Sequence, residues 1–202
     1  MNHLHSIAIC IAAGVASSAG ASIMHASGVA NFDQGLRKNG TAVEAARSIT
    51  TNALGAPQLT DTVNFVSLGF GGELVLTFDT WFGESVSVWE TTYGNPSSYR
   101  EAANVYVGVG GAWDTATYYH VGLLQNTADG VAMSLEPITQ NFGVSAFNFL
   151  KIVDATNPSL HGGSADGFDV DGVMVHAVQV PAPGGAMLAA FVGLGALRRR
   201  RA

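Results

Sequence analysis

From Phe65 onward the chain is built of short runs in which apolar and polar residues alternate, each closed by Gly, Asn, Asp or Pro. A period of two places alternate side chains on opposite faces of an extended strand, and closely spaced turn residues leave no room for helices between strands. In Glu73–Asp79 this puts Leu74, Leu76 and Phe78 on one face. Val86 and Val88 alternate with Ser85, Ser87 and Trp89, and Val105, Val107 and Val109 repeat the pattern before the Gly110-Gly111 turn signal. Tyr118–Leu124, Val131–Leu135, Phe147–Val153 and Phe168–Val178 bring the expected total to about eight strands. With no strand–helix alternation, a parallel α/β sheet is excluded and an all-β antiparallel sandwich or barrel is expected. The stretch from Asn31 to Asn52 is polar and aperiodic, with room for one helical turn or a loop over Val43–Ile49.

The two ends read differently. Ile7–Val15 is a short apolar run followed by small residues, the arrangement of a secretory signal. Ala19 and Ala21 fit its cleavage pattern, so a signal peptide is expected over 1–21 and a β-sandwich domain over 22–179. The segment before the run carries no Lys or Arg. The one cysteine, Cys10, falls inside this signal, so the mature domain has neither a disulfide nor a thiol nucleophile.

At the other end, Gly184–Leu197 is apolar without interruption and is followed by Arg198, Arg199, Arg200 and Arg201. As a helix this run spans about 21 Å, short of a ~30 Å hydrocarbon core. A basic stop on such a short transmembrane helix suits a transient anchor, with the arginines on the cytoplasmic side. Nine basic residues, four of them in this tail, stand against fifteen acidic ones, so the rest of the chain carries a net charge of about −10. A body so acidic repels phosphate backbones and is not expected to bind nucleic acid.

Together, VPAPGG, the apolar run and the four arginines over 180–202 resemble the PEP-CTERM sorting signal of surface proteins processed by exosortase. Ala182 stands where that family usually has Glu between its two prolines. The resemblance implies processing near Pro181, Ala182 and Pro183 by an exosortase-like enzyme. It also implies a transient inner-membrane intermediate, then delivery to the bacterial cell surface or extracellular matrix. The body is similar to the domain of many such proteins, through the ordered segments NALGAPQ, FVSLGFGGELVLTF, VWETTYGNP, EAANVYVGVGGAW, FLKIVDAT and DGFDVDGV. That likeness implies a jelly-roll sandwich of the discoidin and carbohydrate-binding-module kind and bears on fold and location more than on function; the role expected is structural or adhesive.

Two groups of residues could carry chemistry. Asp154, Asp166, Asp169 and Asp171, with Glu90 at the end of its strand, could supply oxygens to a calcium ion. Gly162, Gly163 and Gly167 permit a tight loop beside them, although the spacing is not that of an EF-hand. The same aspartates could equally cap turns. Tyr93, Tyr99 and Trp113 could stack on the rings of an extracellular polysaccharide, or could belong to the core. His25, His120, His161 and His176 show no metal-ligand spacing, and there is no G-x-S-x-G elbow. Acids such as Glu73, Asp79 and Glu84 are plentiful but form no pattern, so no enzyme activity is expected.

Overall fold

The longest strand, β4 (Glu73–Glu90), organises the computed structural model, which describes residues 22–58, 64–92 and 94–178. The expected signal with Ala19 and Ala21 lies outside the described residues. So do Tyr93, the sorting segment with Pro181, Ala182 and Pro183, the apolar run 184–197, and Arg198 to Arg201. Among the described residues no helix is long and apolar enough to cross a membrane.

In chain order the other elements are β1 (Ile23–His25), β2 (Gly28–Asp33), β3 (Val66–Ser67), β5 (Ala102–Val109), β6 (Thr117–Gln125), β7 (Met133–Ser134), α1 (Glu136–Phe142), β8 (Phe147–Asp154) and β9 (Asp169–Ala177). All the strand pairs are antiparallel. The first half of β4 pairs with β2 and β8, and the layer continues through β5 to β6. Its second half pairs with β9 and β7, and β9 in turn carries β1 and β3. One strand thus belongs to both layers of the sandwich.

The change of layer has a local cause. Pairing with β8 breaks between Thr77 and Phe82, and pairing with β9 shifts register between Gly83 and Val86. Glu84 sits at that second shift with φ 65°, the only positive φ at a described residue other than glycine. An extra residue in one strand bends it and sharpens its twist, and this lets a single strand turn the corner. The core is continuous across the layers: Leu74, Leu76, Val105, Val107, Leu150 and Ile152 from the first join Val86, Val88, Val173 and Val175 from the second.

The all-β antiparallel architecture is therefore as the alternation predicts, its jelly-roll-like form is as the resemblance implies, and four details differ. Glu73–Asp79 and Ser85–Trp89 are one strand, because the bulge bends the backbone without ending its pairing. β2 (Gly28–Asp33) runs three residues into the stretch from Asn31 expected to be irregular, which continues with short 3-10 turns at Ala45–Arg47, where a helical turn is expected, and at Thr50–Ala53. Of Val131–Leu135 only Met133 and Ser134 are strand. The next residues form α1, which has a proline in its first turn and ends at Gly143 in the left-handed conformation.

Candidate functional site

Antiparallel pairing brings the last residue of β4 beside the first residues of β9, with Glu90 opposite Val170 and the Thr91 amide donating to the Asp169 carbonyl at 3.3 Å. The chain then loops out and returns to start β5, which sets Glu101 at the same end of the sandwich. An oxygen from each of Glu90, Glu101 and Asp169 lies within 4.8 Å of the other two. All three side chains are buried. Arg47 reaches this junction from its turn. One guanidinium nitrogen meets Asp166 Oδ2 at 2.9 Å and another meets Asp169 Oδ2 at 2.5 Å, while the group lies 4.8 Å above the Phe65 ring.

The electrostatics follow from this crowding. Burial pushes the Glu101 carboxyl up, reinforced by its hydrogen bond to Glu90 and the charge of Asp169. Burial likewise raises Glu90, against hydrogen bonds from Glu101 and Thr92 that lower it. Asp169 is held well above the ordinary range by burial, although Arg47 pulls it down; Asp166 shows the same opposition. A carboxyl that loses hydration resists ionisation unless a positive charge replaces the lost water.

Above the junction is a cleft of about 210 Å³ lined by Arg47, Thr91, Tyr99, Glu101, Ser164, Asp166 and Asp169. Tyr99 is half-buried, and its ring meets His161 edge-on with centroids 4.5 Å apart. His161 is fixed in turn by donating from Nε2 to the Arg100 carbonyl at 2.7 Å.

The other expected site residues are placed elsewhere. Asp154 ends β8 and accepts from three backbone amides: Gly71 at 2.9 Å, Phe168 at 2.9 Å and Thr156 at 3.4 Å. Beside it, Gly167 has φ 78°, and a Cβ there would sit 2.8 Å from Asp154 Oδ1. Asp171 accepts from the Gln58 amide at 3.1 Å. Trp113 follows β5 whereas Tyr99 precedes it, and eight strand residues separate their ends by about 25 Å. The two rings therefore do not share a stacking surface. Of the residues singled out in the sequence, the fold brings together Glu90, Asp166, Asp169 and Tyr99. Arg47 and Glu101 were not singled out: Arg47 lies in an aperiodic stretch, and Glu101 has no sequence neighbour that marks it.

No family model and no curated protein sequence matches the chain. Among solved structures, a chain of "X-ray crystal structure of reduced XRCC1 bound to DNA pol beta catalytic domain" aligns at TM-score 0.49 and 12% identity, covering 78% of this chain and 100% of that one. "Truncated AlyQ with CBM32 and alginate lyase domains" aligns at 0.42 and 10%, covering 80% of this chain and 36% of that one. "X-ray structure of GH31 CBM32-2 bound to GalNAc" aligns at 0.41 and 8%, covering 76% and 100%. Likeness at these levels bears on neither ligand nor activity.

Proposed function

We propose that this is an exported surface or matrix protein of structural and adhesive character, whose β-sandwich binds an extracellular polysaccharide in the cleft at Arg47 and Tyr99. One observation carries the binding reading: a guanidinium, clamped by two buried carboxylates, is presented beside a half-buried tyrosine ring and the hydroxyls of Thr91 and Ser164. Sugar hydroxyls both donate and accept, and their C–H faces pack on aromatic rings, so this donor and acceptor set suits them. The volume is below the ~300–1,000 Å³ of clefts that take drug-sized molecules, which suits one ring or a chain end. Because Arg47 is already held in place, binding costs little further ordering.

The role is read as binding and not catalysis, since Asp166 and Asp169 are engaged by Arg47 on one wall and do not oppose each other across the cleft. Export and exosortase-type sorting rest on the two ends of the sequence. Mass spectrometry of the protein from its native cells is expected to show both ends trimmed; recovery of the untrimmed chain would remove that part. For binding, the full chain is run through gels containing acidic and neutral polysaccharides. Retardation by at least one is expected, with affinity falling about tenfold or more in Tyr99→Ala, the scale of one lost aromatic contact. Unretarded migration on every polysaccharide would remove the binding reading.

A further inference from the structure

We propose that Glu90, Glu101 and Asp169 bind a divalent, oxygen-preferring cation, and that calcium is the ion that fits. The argument begins with charge. Four buried acids, Glu90, Glu101, Asp166 and Asp169, meet at this junction with the single guanidinium of Arg47. Further groups acting on it are Asp129, whose carboxylate accepts from the Glu90 amide at 2.8 Å, Arg37, which acts on Asp166, and the Tyr99 phenol. Most of the acidic charge therefore has no matching cation among these groups.

A second observation points to a ligand. Asp169 uses Oδ2 to hold Arg47, while its Oδ1 has no hydrogen-bond partner among the described residues, on a side chain that is 2% exposed. An isolated buried carboxylate oxygen is costly, and native structures seldom leave one without a donor or a metal.

Geometry and donor type then select the ion. All donors are carboxylate oxygens, with neither Cys nor His in the group, which disfavours soft and borderline metals. An ion bonded at ~2.3–2.6 Å bridges oxygens up to about 5 Å apart, whereas magnesium at ~2.0–2.1 Å reaches about 4 Å. The three oxygens, all within 4.8 Å of one another, fall inside the reach of the larger ion. The cleft above leaves an open side for the water ligands that complete a shell of roughly 6–8 oxygens. The alternative balance is protons shared between Glu90 and Glu101, and metal binding would displace them.

The test is thermal unfolding of the full chain at neutral and mildly alkaline pH, in millimolar calcium and in EDTA. A rise in Tm of about 5–10 °C is expected once calcium exceeds its Kd a hundredfold, with a smaller rise in magnesium. The increment should grow with pH, because fewer protons then compete. Glu101→Gln and Glu90→Gln should keep the Tm measured in EDTA or raise it, and lose the calcium increment. If either variant fails to fold, terbium luminescence of the wild-type chain, excited through its aromatic residues and displaced by calcium, reports the same site. Two outcomes overturn the inference: no calcium response and no terbium signal in the wild type, or a response undiminished in both folded variants. The cation does not depend on the polysaccharide reading, since gel retardation in EDTA can succeed or fail separately.

Discussion

Asp154 and Asp169 are both acids buried at strand ends, 7% and 2% exposed, yet their surroundings differ in kind. Three backbone amides point at Asp154, so the fold supplies it with fixed donors and it acts as a rivet between β8, the Gly71 turn and the loop before β9. Asp169 meets one side-chain cation, two further buried glutamates and a cleft. Burial raises both carboxyls above their ordinary value. At Asp154 amide hydrogen bonds oppose that rise; at Asp169 neighbouring carboxylates add to it. A buried acid satisfied by backbone serves the fold, whereas one crowded by other acids keeps a demand that only protons or a ligand can meet.

The contrast can be broken most sharply at Arg47. Arg47→Met leaves Asp166 and Asp169 buried without their cation and should cost about 3–5 kcal/mol, read from the urea midpoint at neutral pH. That loss should shrink in acid, where the carboxyls take up protons. Next come matched substitutions. Asp154→Asn turns an amino group toward the Gly71 amide and should cost about 1–3 kcal/mol. Asp169→Asn keeps an acceptor for Arg47 while relieving repulsion and should change stability by less than about 1 kcal/mol. Equal costs for the two would erase the distinction.

The pH dependence sharpens it further. Glu90, Glu101, Asp166 and Asp169 are all raised above the ordinary values of 4.5 for Glu and 3.8 for Asp, so the folded state holds protons that the unfolded chain releases. Their contribution is full below those values and is lost as pH rises toward the raised ones. In EDTA, Tm should therefore fall from about pH 5 upward, and Glu101→Gln should flatten that fall. The smallest effect belongs to an ion pair with access to solvent. Lys151 and Glu73, 3.5 Å apart on the outer face of the first layer, should be worth less than about 1 kcal/mol by double-mutant cycle.

Strands β4, β5, β6, β8 and β9 are legible in the sequence because apolar residues recur along them, most cleanly in β5, where Ala103, Val105 and Val107 are buried and the intervening Asn104 and Tyr106 are half-buried. β2 is not, because all but one of its residues are half-buried and neither face stands out. Helix α1 escapes through brevity: its seven residues bury only Ile138, although Pro137 and Gly143 mark its ends. The acidic half of the site can be read, since Glu90, Asp166 and Asp169 sit at strand ends and in a glycine-rich loop. Arg47 and Glu101 cannot. They are joined to the others by contacts between residues more than 60 positions apart, such as Arg47 with Asp169 and Glu101 with Asp169, which no local spacing records.

The account's central claim, that the cleft over this junction holds a polysaccharide, is tested most directly by filling the cleft. Ser164 lies exposed on its rim, outside the core, so Ser164→Trp should leave Tm unchanged while occupying the space beside Arg47 and Tyr99. In gels of the polysaccharide that most retards the wild type, the account predicts that Ser164→Trp migrates as freely as in a gel without polysaccharide. Equal retardation of variant and wild type would contradict it and move the binding surface elsewhere.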